Sequence, residues 1–231
     1  MPSKRRGRMK QEARRRPFRT PKRRLLVVCE GEITEPQYFR GLERFLRDAT
    51  LSIEIPPERG EPKKLVQVAK TFNSAAIQDA RRSGDDNVRF DEVWCVFDRD
   101  DHERFDAACQ MAKDNLFRLA VSNPSFELWL LLHFQDNPGA QHRDRIKHML
   151  RGKIHDYDKA VEFKMFNAGL NDAGARAKRI GDHAREDGEN LYANPSTSVF
   201  LLVASMLKEL KGNVPYKEWV WLQQALAELE E

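Results

Sequence analysis

The 231-residue chain has little of what many catalytic and binding proteins are built from. Cysteine occurs three times, at Cys29, Cys95 and Cys109. Two of the three lie in apolar, strand-like runs and none has metal-site spacing, so a disulfide framework and a zinc cluster are both disfavoured. The six histidines are scattered without a His-x-x-x-His or similar ligand pattern, which argues against a zinc-type centre. Gly31 stands alone where a phosphate-cradling loop would need several glycines, so P-loop and dinucleotide fingerprints are absent. There is no Gly-x-Ser-x-Gly elbow and no internal repeat. No apolar run approaches the ~20 residues needed to cross a bilayer, and none follows the basic N-terminus as a signal peptide requires. A cytoplasmic location without membrane contact is therefore expected.

What is abundant is charge, unevenly spread. Residues 1–24 hold twelve Lys or Arg against one acid, Glu12, which leaves 28 basic and 35 acidic residues for the rest of the chain. A disordered basic arm, residues 1–23, on an acidic body points to nucleic acid as partner, because Lys and Arg gain affinity by releasing phosphate counterions. The competing reading is a solvated tail folded loosely on its own acidic body.

The chain is organised around Asp91-Glu-Val-Trp-Cys-Val-Phe-Asp-Arg-Asp-Asp101, an apolar run that ends in acids. Val93–Phe97 reads as a buried parallel strand. Asp98 and Asp100, two apart, would face the same side at its carboxyl end, where open α/β sheets bind ligands. Neighbouring carboxylates repel, and a divalent cation relieves the repulsion. The plainer alternative is that these acids solvate a loop and cap the following helix.

A second buried strand, Arg24 to Glu30, also ends in an acid. Thr34 followed by Glu35, Pro36 and Gln37 then fits a capping box, with proline in the first turn, opening a helix through Leu46. Leu51 to Ile55 alternates as a strand, Lys64 to about Arg82 reads as a helix, and Arg104–Asp114 and Leu116–Val121 as the next helix and strand. The order βαβαβαβ predicts an α/β fold with a parallel four-stranded sheet, and in the common 2-1-3-4 arrangement the first and third strands are neighbours. Glu30 should then lie beside Asp98 and Asp100. Asn123-Pro124 reads as a helix start that puts Glu127 in the first turn of a very apolar helix, where a carboxylate needs a partner or a favourable helix dipole. The expected division is a core over 24–135 and a helical extension over 136–231 packed on it. The extension should have a weaker core over 135–189, loops near Asp136–Gly139 and Gly181–Gly188, a second Asn-Pro helix start at Asn194-Pro195, and a closing helix from Tyr216 to Leu229.

Taken together, five segments carry a family resemblance: the basic arm, Val28–Phe39, Glu92–His102, Ser122–Phe134 and Asn194–Thr197. Through them the chain resembles the RloB-like family of bacterial and archaeal proteins over nearly its whole length. The resemblance implies a Toprim-like sheet whose first-strand Glu and third-strand Asp-x-Asp serve metal-dependent phosphodiester chemistry. Glu30, Asp98 and Asp100 match those positions, and Glu127 resembles a further acid of related OLD-type nucleases. It also implies phage-defence loci and a partner ATPase of the ABC or AAA type. Tyr157 and Lys159 resemble a family pattern without an assignable role.

The expected activity is that of a Mg²⁺- or Mn²⁺-dependent nuclease acting on RNA, including tRNA, or DNA. Asp98, Asp100 and Glu127 would hold the cation, Asp101 joining them, and Glu30 would ligate it or move a proton. Glu32, His102 and Lys159 are the outlying candidates. A topoisomerase or primase would need modules that do not fit here. A haloacid-dehalogenase-like phosphatase carries its Asp-x-Asp on the first strand. A non-catalytic metal-binding adaptor that docks on an ATPase and presents nucleic acid is the other reading. Expected partners are nucleic acid, that ATPase and a second copy in a homodimer.

Overall fold

In the computed structural model the structure describes residues 22–46, 51–99, 104–155, 157–208 and 218–230. The arm, apart from its last residues, lies outside the described residues. So do Asp100, Asp101, His102 and the start of the expected closing helix at Tyr216.

Five strands form one sheet in the order β2-β1-β3-β4-β5. They are β1 (Arg23–Cys29), β2 (Leu51–Glu54), β3 (Glu92–Asp98), β4 (Arg118–Asn123) and β5 (Ser196–Thr197). The first four are parallel, so the 2-1-3-4 arrangement holds. The sheet is not four-stranded, however. β5, drawn from the C-terminal part of the chain, pairs antiparallel with β4, and the Ser122 and Thr197 hydroxyls lie 2.9 Å apart. A two-residue strand is too short to show the alternation by which strands are recognised in sequence.

Side chains alternate between the two faces of the sheet, as a pleated strand requires. Leu25, Val27, Cys29, Trp94, Val96 and Ala120 point into the larger core, while Leu26, Val28, Val93, Cys95, Phe97 and Val121 point into the smaller. Helices α2 (Pro62–Ser83) and α3 (Phe105–Asp114) cover the smaller core through Leu65, Val66, Ala69, Phe105, Ala108 and Ala112. The opposite face carries α1 (Thr34–Leu46), α4 (Phe126–Leu131), α5 (Arg143–Arg151), α6 (Leu170–Glu186), α7 (Val199–Leu207) and α8 (Val220–Glu228). The polar segment that reads as weakly packed in sequence buries Phe163, Phe166, Leu170, Ala173, Ala177 and Ile180 in this same larger core.

Local details depart from the sequence reading for identifiable reasons. β4 begins two residues later than expected because Leu116, at φ 58 and 91% exposed, belongs to the turn after α3. Neither Asn-Pro pair opens a helix: both are cis, α4 starts after Ser125, and the second pair leads into β5 before α7. Gly181 lies inside α6, which ends at Glu186 shortly before Gly188 turns with φ 71.

A polar knot fastens the amino ends of the strands. Arg23 donates to the carboxylate of Glu92 and to the carbonyl and hydroxyl oxygens of Ser205, each within 2.6 Å. Ser205 Oγ and Trp94 Nε1 donate to Glu92 Oε2 at 2.7 and 2.8 Å. Burial alone would raise the Glu92 pKa, yet the Ser205 hydrogen bond and the Arg23 charge hold it below the usual carboxylate value.

Candidate active site

The acids gather at the other end of the sheet. β1 stops at Cys29, and the Glu30 amide continues the ladder by donating to the Val96 carbonyl at 2.9 Å. The Glu30 side chain crosses to the neighbouring strand, where Oε2 accepts the Asp98 amide at 3.0 Å. The expected juxtaposition of Glu30 with Asp98 is therefore present and is fixed by main-chain hydrogen bonding.

Glu127 arrives from the first turn of α4 and is held on both oxygens. Ser125 Oγ donates to Oε2 at 2.7 Å, and the Tyr157 hydroxyl donates to Oε1 at 3.2 Å. Burial and then the Glu127 charge push the Tyr157 phenol above its ordinary pKa, so its proton remains available for that bond. Tyr157 thus acquires a place, orienting Glu127. Lys159 contributes differently. Its carbonyl accepts the Thr34 hydroxyl at 2.7 Å, and its exposed side chain lines the rim of the cavity.

Two residues join that the sequence reading did not assign to the site. Glu35, in the first turn of α1, is only 6% exposed and folds back so that Oε1 accepts the Gly31 amide at 3.1 Å. A β-carbon at position 31 would lie 1.9 Å from Glu35 Oε2, so a larger residue there would displace the Glu35 carboxylate. Arg143, at the start of α5, reaches Asp98 Oδ2 at 3.2 Å.

Together Glu30, Glu32, Glu35, Asp98 and Glu127 line one cavity of about 310 Å³, with Arg143 and Lys159 as its cations. Crowding of like charges shows in the protonation preferences. The Asp98 carboxyl is pushed well above its ordinary value by burial, then by Glu35, Glu30 and Glu127, against the pull of Arg143. Glu35 is raised by burial and by Glu127 and Glu30, although two amides bond to its carboxylate. Among the described residues, no three Asp, Glu, His or Cys side chains close on one point as an ion's ligands do. The donors fit a hard divalent cation in chemistry, being all oxygen and in excess of the nearby positive charge.

An open, mostly parallel α/β sheet with an acidic crevice at the carboxyl ends of its central strands is the class of protein this fold and site define. Within that class the chain belongs to the RloB-like protein family, whose model matches residues 25–206. No curated protein and no solved structure matches the chain.

Proposed function

We propose that this protein is a Mg²⁺- or Mn²⁺-dependent nuclease with a Toprim-like core that cleaves phosphodiester bonds in RNA, including tRNA, or in DNA, and that it works in the cytoplasm in phage defence with a partner ATPase. The observation that carries the reading is the meeting of Glu30, Asp98 and Glu127, from three separate elements, around one cavity at the carboxyl end of the sheet. The neighbouring placement of β1 and β3, each ending in an acid of the cavity, supports the Toprim-like assignment.

Asp98 and Glu127 would hold the cation, with Asp100 and Asp101 following in the chain. A bound divalent ion would neutralise charge on a non-bridging phosphate oxygen. Glu30 would move the proton of the attacking or leaving oxygen, while Ser125 and Tyr157 keep Glu127 in one orientation. Arg143, at the rim of the cavity beside Asp98, would bind the phosphate, for which a guanidinium is well suited.

The test is cleavage of labelled RNA and DNA pools with Mg²⁺ or Mn²⁺. Wild type is expected to cut, and Glu30→Gln to lose about 10²–10⁴-fold, the usual contribution of a positioned proton-transfer group. A second reading is a metal-binding adaptor without turnover that docks on the ATPase and presents nucleic acid. Calorimetric metal titration separates the two: binding that depends on Asp98 without any cleavage selects the adaptor.

A further inference from the structure

Beside the acidic cavity runs a larger depression of about 1050 Å³, between the outer side of α1 and the segment 160–165. The two share a wall. Thr34 and Lys159 border the cavity, and Gln37 and Val161 border the depression; the hydrogen bonds Thr34 Oγ1 to the Lys159 carbonyl (2.7 Å) and Val161 amide to Gln37 Oε1 (2.7 Å) form the seam between them. Along the groove, Arg40 and Arg44 stand one helical turn apart, about 6 Å along the axis. Arg40 gives one N–H to the Ile55 carbonyl at 3.2 Å, and Arg44 makes no hydrogen bond or ion pair to any described residue. Lys164 and Glu162 neutralise each other, so the groove keeps the charge of the two arginines.

The apolar part of the groove is equally specific. Phe45, 38% exposed, leans on Phe163 with ring centroids 5.2 Å apart, and Met165 is 42% exposed. Gly41 sets the depth, since a β-carbon there would lie 2.5 Å from the β-carbon of Phe163. A positively charged groove with an accessible ring suits a single strand, whose phosphates meet the arginines while its unpaired bases stack. A duplex offers phosphates but no base faces.

We propose that this groove binds a single-stranded segment of RNA or DNA and leads it over the seam into the acidic cavity. The proposal deepens the nuclease reading and depends on it only for the fate of the strand; binding itself needs neither metal nor turnover.

The experiment therefore uses the full chain in chelator and fluorescently labelled 12-nucleotide RNA, DNA and duplex probes, read by anisotropy over a salt series. Arg40→Ala/Arg44→Ala is expected to weaken single-strand binding several-fold. It should also flatten the log-affinity against log-salt slope by about 1.4, or about 0.7 for each phosphate no longer neutralised. Arg44→Glu alone, at an exposed side chain that ties down no described residue, should act in the same direction with an unchanged melting temperature. Photo-crosslinking of thio-substituted strands followed by peptide mapping should mark 37–45 and 160–165. RNA bound in preference to DNA, or the reverse, identifies the source of the strand, and either preference supports the groove. Unchanged affinity and slope in both variants, crosslinks confined to residues 1–24, or tighter binding of duplex than of either single strand would overturn it.

Discussion

His133 is a neutral imidazole built into the core. Its ring lies edge-on to Tyr38, Trp129 and Phe166, with Nδ1 3.0 Å from the Trp129 carbonyl and Nε2 3.1 Å from the Tyr38 hydroxyl. These partners are satisfied when Nδ1 carries the proton and Nε2 accepts. Burial depresses the folded pKa from 6.5 to about 3. An unfolded chain takes up a proton as the pH falls through 6.5 and the folded one does not. The contribution of His133 is thus fully present above about pH 7 and is lost progressively between 6.5 and 3. Urea unfolding at pH 7.5 and pH 5 should show His133→Gln losing about 2 kcal/mol less than wild type on acidification. Parallel pH profiles would contradict this. The same scale shows what single residues disclosed. Glu30, Asp98 and Glu127 were legible because each is an acid interrupting or closing an apolar run. Glu35 was hidden because an acid in the first turn of a helix is already accounted for by the helix dipole, and Arg143 because one arginine among 40 basic residues carries no distinguishing signal. Both owe their place to tertiary packing: Glu35 is buried in the same cavity as Asp98 and Glu127, and α5 starts against the end of β3.

Helix α6 offers a paired test of element packing. Gly174 faces α8, and a β-carbon there would lie 2.2 Å from the Trp221 indole, whose Nε1 donates to Asn171 at 3.0 Å. Gly181, two turns on, has nothing within 4 Å. Both sit inside a helix, where alanine is intrinsically better than glycine by up to about 1 kcal/mol. Gly181→Ala should therefore raise stability by up to that amount, and Gly174→Ala should lower it by about 1–3 kcal/mol through overpacking against a rigid ring. Chemical denaturation of the two variants reads both, and equal effects of one sign would show that the α6–α8 contact is misplaced. At this scale the sequence was most informative where periodicity is strong, in β1, β3, α1 and α2. It was least so where structure depends on partners: β5 exists only because β4 is there to pair with, and α6 continues through Gly181 because Ala177, Ile180 and Ala184 remain buried.

Across the whole molecule, the amino end of β1 and the cavity lie at opposite ends of the sheet. The arm joins β1 at its amino end, beside the Arg23–Glu92–Ser205 knot, and seven residues of strand, about 23 Å, separate that root from the acids past Cys29. The 22 residues that precede β1 span at most about 70 Å when extended, enough to cover that distance. Deleting residues 1–22 should weaken binding of RNA and DNA and flatten its salt dependence by about 0.7–0.9 for each phosphate that the arm neutralises. Anisotropy titrations between about 50 and 200 mM salt test this, the range over which such charge pairing separates clearly. An unchanged slope would remove the arm from nucleic-acid binding.

The central claim, that the carboxylates of Glu30, Asp98 and Glu127 form a metal-dependent cleavage centre, is tested most directly by one side-by-side assay. Wild type and Asp98→Asn, matched in melting temperature, are incubated with total RNA and plasmid DNA over a Mn²⁺ series. Metal-dependent cutting by wild type, abolished by chelator and by the single change at Asp98, is the predicted result. Equal cutting by both proteins, or none by wild type at any metal concentration, would contradict it.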